Sequence, residues 1–204
     1  MGESAIMSAN KQMTAAGTDE AGRGPLAGPV VAAVVILTNE QRKYLISNGL
    51  KDSKKLSPSK RETLFCQMCE CGVKWRAQAA SPHRIDRMNI LQASLWCMKR
   101  SVEQLDCTPD IVLVDGNTYI PGLGISQRCV IGGDDKVPSI AAASVIAKVL
   151  RDKVMSALDE LYPEYGFCSH KGYPSAEHRR ILLEIGPSPI HRISFRGVLR
   201  ETVS

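Results

Sequence analysis

Eight consecutive apolar residues, 30–37 (VVAAVVIL), leave this chain few folds to choose from. A run this short and this rich in β-branched side chains favours a buried strand over a helix. Residues 14–20 lead into the turn-rich stretch 21–29, which contains Gly22, Gly24, Pro25, Gly28 and Pro29. The two runs are therefore expected to form an antiparallel pair joined by that Gly/Pro turn.

The rest of the chain alternates strand and helix signals. Ser57 before Pro58 resembles an N-cap followed by the first helical residue and predicts a helix to about Glu70. A third strand is expected near 73–80. Ile90, Leu91, Leu95, Met98, Val102 and Leu105 give 89–105 helical spacing. Pro109 then precedes a short apolar strand, 111–114, that ends at Asp115. A loop over 119–127, a strand at 129–131 and a long helix over 139–158 follow. Residues 162–204 hold more Pro, Gly, His and Arg and are expected to form a smaller helical appendage. The fold class is α/β: a mixed sheet covered by helices. Residues 1–13 are read as a flexible tail, 14–160 as the main domain and 161–204 as the appendage.

Composition narrows the function classes. A chain of 204 residues suits one large domain with a short addition. With 44% hydrophobic and 23% charged residues it is not disordered as a whole. The formal charge of +5 leans mildly towards an anionic partner. Seven cysteines, an odd count, do not make a closed disulfide framework. Cys66, Cys69 and Cys71 lie close together, but zinc would want a second ligand pair and none follows. They are read as ordinary thiols, which fits the cytosol. No stretch reaches the roughly 18 apolar residues of a membrane span. The first 16 residues lack an apolar signal core, and Ile6 stands where a myristoylation pattern needs Ser or Thr. A soluble, cytoplasmic chain without a membrane partner is expected.

The acids carry the chemistry. Asp19 and Glu20 close the first strand, Asp115 closes another and Asp134 follows a third. Adjacent strand ends converge, and loops there hold ligands in open α/β sheets. Several carboxylates in one cleft repel one another unless cations sit between them. An all-oxygen set suits Mg²⁺ or Mn²⁺. Taken singly, an acid beyond a strand is an ordinary turn or solvated residue, and Asp135, Asp152 and Asp159 fall under that reading. The joint placement of the other four is what stands out.

At these residues the chain resembles the ribonuclease HII family, the type 2 ribonucleases H. The matching blocks are Asp19-Glu20-Ala21-Gly22-Arg23-Gly24-Pro25, Asp52-Ser53-Lys54-Lys55-Leu56, Ile85-Asp86-Arg87-Met88-Asn89-Ile90 and Val114-Asp115-Gly116-Asn117. Gly133-Asp134 with residues 140–149 follows, then His170-Lys171-Gly172-Tyr173-Pro174 and His191-Arg192-Ile193-Ser194-Phe195. They run in family order from about residue 14 to 198. The resemblance implies an RNase H-like mixed five-stranded sheet flanked by helices, with a small helical C-terminal appendage that binds substrate. It assigns Asp19, Glu20, Asp115 and Asp134 as catalytic, metal-binding acids. Two Mg²⁺ or Mn²⁺ ions would flank the scissile phosphate, so no protein nucleophile is needed. Products would carry a 5′-phosphate and a 3′-hydroxyl. Expected substrates are RNA–DNA hybrids and DNA duplexes with single ribonucleotides, incised on the 5′ side. Expected roles are ribonucleotide excision repair and RNA primer removal.

RNA is told from DNA by its 2′-hydroxyl. Gly22 and Gly24 let backbone approach a sugar closely, and Arg23 can reach phosphate or the acids. The resemblance makes this Gly-Arg-Gly loop the ribose reader. Tyr173, beside Lys171 and Gly172, can stack on a nucleotide; the family tyrosine packs at the RNA–DNA junction. Pro174 departs from the Gly that many relatives have there. Lys54 and Lys55 read either as a solvated basic turn or as phosphate contacts. Ser144 and Lys148, four apart, share one helix face, and with Asn89 they resemble family positions near the substrate backbone. A metal role for the scattered His170, His178 and His191 is disfavoured.

The nearest competing reading is a ribonuclease HIII-like enzyme. Asp134, where that family carries Glu, and the short start of the chain argue against it. A non-catalytic hybrid-binding module is the other, and the four acids argue against that. Residues 198–204 hold no paired aromatics, so no clamp-binding peptide is expected. A monomer is expected.

Overall fold

The apolar run supplies the second strand of a five-stranded sheet in the computed structural model, which describes residues 13–199. In chain order the elements are β1 (Ala15–Ala21), β2 (Val30–Ile36), α1 (Asn39–Ser47), α2 (Pro58–Glu70), β3 (Lys74–Ala80), α3 (Pro82–Met88) and α4 (Ile90–Glu103). They continue with β4 (Ile111–Asp115), β5 (Ser126–Val130), α5 (Gly133–Lys136), α6 (Pro138–Leu161), α7 (Phe167–His170) and α8 (Ala176–Ile185). Short 3-10 turns occupy Ser53–Lys55 and Pro163–Tyr165. Most of the expected tail, 1–13, and most of the 198–204 stretch in which no clamp-binding peptide is expected lie outside the described residues.

The strand order is β3-β2-β1-β4-β5. β1 and β2 pair antiparallel as expected, with Asp19 opposite Ala33. β4 runs parallel to β1 and β5 parallel to β4. The carboxyl ends of β1, β4 and β5 therefore meet at one edge, which is what brings distant acids together.

β2 is buried on both faces, and alternation decides which helix covers each residue. Ala33 and Val35 pack with Ala141, Val145 and Ile146 of α6 and Leu64 of α2. Val30, Ala32 and Val34 pack with Ala93, Cys97 and Met98 of α4. The start of α6 lies almost on β1. A Cβ at Gly17 would collide with the backbone nitrogen of Ile140, so only glycine fits. A third cluster joins Leu26 and Ala27 of the first turn to Met155, Phe167, Ile181 and Val198.

The structure corrects three details of the sequence reading. β5 starts at Ser126, inside the stretch expected to be loop, because its hydrogen bonds to β4 impose strand on a polar sequence. α1 and α3 are helices that the sequence reading does not include. α1 is announced by a capping box, with Thr38 and Gln41 satisfying each other's backbone N–H. α3 starts from Ser81, whose hydroxyl accepts from the Arg84 N–H. Among the described residues, no helix is long and apolar enough to cross a membrane.

Candidate active site

Asp19 and Glu20 are neighbours in β1, so the pleat sends them to opposite faces of the sheet. Asp19 points towards α6 and Glu20 towards a recess lined by Leu91, Ser94 and Met98 of α4. Asp115, at the end of β4, borders both sides. Asp134 arrives from α5, one turn beyond β5. Carboxylate oxygens of Asp19, Asp115 and Asp134 all lie within 4.8 Å of one another. This is the one group among the described residues with three or more metal-ligating side chains in reach of a common ion. Glu20 stands beside that trio rather than in it.

Local backbone holds the trio together. The Gly133 N–H donates to Asp115 Oδ1 across 2.7 Å. A Cβ at Gly133 would meet Ile140 Cδ1 at 2.5 Å and Asp115 Oδ1 at 3.1 Å, so a side chain here would push on Ile140 and on the Asp115 carboxylate. Asp19 and Asp134 are only 5% and 6% exposed. Burial, reinforced by repulsion from Glu20 and Asp115, pushes the Asp19 carboxyl well above its ordinary range. Burial likewise raises Glu20, partly offset by Arg23, whose Nη1 lies 3.3 Å from Glu20 Oε1. Burial raises Asp115 too, against the Gly133 hydrogen bond. Acids held this way gain from a cation between them, and an all-carboxylate donor set fits a hard divalent ion such as Mg²⁺ or Mn²⁺. Lys54 supplies a positive charge on the rim, with Nζ 3.1 Å from Asp134 Oδ2.

A cleft beside the acids, about 250 Å³, brings together Asp19, Glu20, Gly22, Arg23, Gly24, Lys54, Asp115, Ser144, Lys148 and Tyr173. Its lining does not include Lys55, which pairs with Asp135 at 2.6 Å, or Asn89, whose side chain caps α4 at the Gln92 N–H. Tyr173 is 42% exposed, and its ring Cε1 would lie 3.8 Å from a Cβ at Gly24. Lys148 Nζ and Arg151 Cζ stand 5.9 and 5.8 Å from the ring centre.

The sequence reading missed the residues that hold this cleft in shape. The Arg151 guanidinium is fully buried and donates to the carbonyls of Pro29, Ala27 and Lys171. Arg192, also fully buried, donates to those of Gly22, Arg23 and Gly28. Asp86 accepts from the backbone of Ile193 and Ser194. Ser53 shares a 2.8 Å hydrogen bond with Ser144. Arg192, Asp86 and Ser53 fall inside the motif blocks. Arg151 lies just beyond the last residue of one, on the helix face that also carries Ser144 and Lys148.

Comparison with known proteins agrees with this geometry. The family profile described as Ribonuclease HII matches residues 16–198. A protein named Ribonuclease HII from Acaryochloris marina is 52% identical over 180 residues, 88% of this chain and 91% of its own length. Another of that name, from Geobacter sulfurreducens, is 51% identical over 185 residues, 91% of this chain and 83% of its own. The crystal structure of ribonuclease H2 from Pyrococcus horikoshii superposes with a TM-score of 0.78 at 30% identity, covering 91% of this chain and 95% of that one. The fold is RNase H-like, and the chain belongs to the ribonuclease HII family of endoribonucleases.

Proposed function

We propose that this chain hydrolyses the RNA strand of RNA–DNA hybrids and incises duplex DNA on the 5′ side of single embedded ribonucleotides. Its products carry 5′-phosphate and 3′-hydroxyl ends, and its roles are ribonucleotide excision repair and RNA primer removal. The observation that carries this reading is one cleft that holds Asp19, Glu20 and Asp115 beside the loop able to read a sugar, with the Asp134 carboxylate within 4.8 Å of those of Asp19 and Asp115.

Asp19, Glu20, Asp115 and Asp134 are the catalytic acids and would hold two Mg²⁺ or Mn²⁺ ions. Bound there, the ions supply an activated water and stabilise the leaving 3′-oxygen. Gly22 and Gly24 let the loop backbone reach the 2′-hydroxyl, and Arg23 orients Glu20. Lys54 and Lys148 neutralise backbone phosphates, with Lys55, Asn89 and Ser144 as further contacts. Tyr173 stacks at the junction where RNA passes into DNA. The C-terminal stretch, 161–204, acts as the substrate-binding appendage that carries it. The enzyme works as a monomer.

Cleavage-site mapping on a DNA duplex with one ribonucleotide, in Mg²⁺ and in Mn²⁺, tests this directly. A single incision 5′ of the ribonucleotide is expected. Cleavage restricted to long RNA tracts would contradict it.

A further inference from the structure

Behind Tyr173 lies a cluster of three imidazoles that the chemistry above leaves unused. His178 and His191 are essentially inaccessible to solvent, and His170 stacks on His178 with ring centres 4.3 Å apart. The cluster is linked end to end. His178 Nδ1 lies 2.9 Å from the Tyr173 carbonyl oxygen, and His178 Nε2 lies 2.9 Å from His191 Nε2. His191 Nδ1 lies 2.9 Å from the Ser188 backbone nitrogen and 2.8 Å from its hydroxyl. His170 Nδ1 faces the Gly172 N–H at 3.2 Å, and its Nε2 faces the Tyr165 carbonyl at 2.8 Å.

The two ends fix every proton between them. A carbonyl can only accept, so His178 carries its proton on Nδ1 and leaves Nε2 as a lone pair. A backbone N–H can only donate, so His191 presents a lone pair at Nδ1. His191 is then protonated on Nε2 and donates to His178 Nε2. Both buried rings are neutral, each in one tautomer. A second proton on either would set N–H against N–H. The surroundings agree: burial, and then the neighbouring imidazoles, hold His191 down at about 4, and burial lowers His178 as well. The other rings packed on the cluster belong to Tyr165 and Phe167, and Arg192 is the next residue in the chain.

Tyr173 is half exposed, so packing alone does not aim its ring. Its backbone does. It follows Lys171 and Gly172, both in left-handed conformations, at φ 50° and 80°. Such a turn persists only where its surroundings hold it. The His170 ring takes the Gly172 N–H, the His170 carbonyl takes the Tyr173 N–H, and His178 takes hold of the Tyr173 carbonyl.

We infer that His178 and His191 are positioning residues for Tyr173: a neutral relay from Ser188 through both rings fixes its carbonyl and aims its ring at the ribonucleotide junction. The inference rests on reading Tyr173 as the residue that stacks on substrate. It adds two residues to the specificity machinery that touch no nucleotide themselves.

The test combines kinetics and spectroscopy on the full chain with the one-ribonucleotide duplex. Tyr173→Ala and His191→Ala should each raise KM roughly tenfold, the loss of about one good contact, with a smaller change in kcat. His178→Asn, whose amide N–H can replace Nδ1–H, should restore most of what His178→Ala loses. Adding His191→Ala to Tyr173→Ala should cost little more, because the relay acts only through that ring. A full further tenfold in the double variant would overturn the positioning role while leaving Tyr173 as a reader. No effect of Tyr173→Ala would remove the reading of Tyr173 and the inference with it. Imidazole ¹⁵N shifts of the unmutated protein keep the test open even where an alanine variant does not fold. They should show His178 protonated on Nδ1 and His191 on Nε2, and a His178 protonated on Nε2 would overturn the relay.

Discussion

Arg192 Nη2 donates to the carbonyl of Gly22 across 2.6 Å, joining residues 170 positions apart in the chain. Its other nitrogens hold the Arg23 and Gly28 carbonyls, so one buried guanidinium sets the shape of the whole Gly-Arg-Gly turn. Arg192→Ala would leave three carbonyls without this donor and a cavity beside the cleft. A loss of about 3 kcal/mol is expected, measured by urea unfolding, together with a rise in KM. Arg192→Lys should recover little, because one ammonium cannot span three carbonyls in the fork's geometry. A lysine variant of unchanged stability and KM would show that the fork is not what holds the turn.

The sequence made most of the strands, the long helix and the placement of acids at strand ends legible for a physical reason. Strand character is local and written in β-branched runs such as 30–36, and the acids stand at strand ends where period and turn signals change. Glu20's separation from the trio follows equally from alternation along β1, although only the sheet reveals which face Asp115 and Asp134 share. What stayed hidden depends on long-range pairing. The polar first half of β5, 126–128, is strand because β4 offers it hydrogen bonds, and Arg151 matters because carbonyls from two distant turns converge on it. Neither leaves a periodic trace in the chain. The histidines looked scattered because residues 170, 178 and 191 meet only when the C-terminal segment folds back on the first turn.

Burial and two neighbouring carboxylates, Glu20 and Asp115, oppose the charge on Asp19. A group whose folded pKa is raised contributes stability below its unfolded pKa and loses it as pH rises through the folded value. At neutral pH the Asp19 charge therefore works against the metal-free fold. Asp19→Asn should abolish most cleavage yet melt at or above the parent temperature in EDTA. Adding Mg²⁺ should raise the parent's melting temperature and move the variant's far less. Near-parent cleavage by the variant in Mg²⁺ would refute the assignment of Asp19.

Gly22 and Gly24 separate folding from recognition. Gly22 has φ +99°, and a Cβ there would collide with Arg151 Nε, so Gly22→Ala should destabilise by about 1–3 kcal/mol. A Cβ at Gly24 meets only Tyr173 Cε1, at an ordinary 3.8 Å. Gly24→Ala should thus unfold like the parent, within about 0.5 kcal/mol. Its KM for the one-ribonucleotide duplex should still rise, because the new methyl occupies space the ribose needs. Equal KM values for parent and Gly24→Ala would mean that substrate does not approach this backbone.

His191 is expected to weaken the fold in acid, independently of the carboxylates. Its folded pKa is depressed to about 4 from an ordinary 6.5, chiefly by burial and then by His178. Between those values the unfolded chain binds a proton that the native ring refuses, so stability rises with pH in that window. The contribution is present in full above about pH 6.5 and is lost as pH falls towards 4, by at most about 3 kcal/mol. His191→Gln keeps an N–H donor near the Nε2 position and cannot titrate. Urea unfolding of both proteins from pH 7.5 down to pH 4.5 should show the parent losing ground to the variant, with little change in their difference above pH 7. Comparing the two removes the shared response of the acids. A stability difference that stays flat across the window would mean that the ring accepts its second proton freely, and that the N–H and lone-pair assignments from Ser188 to Tyr173 are wrong.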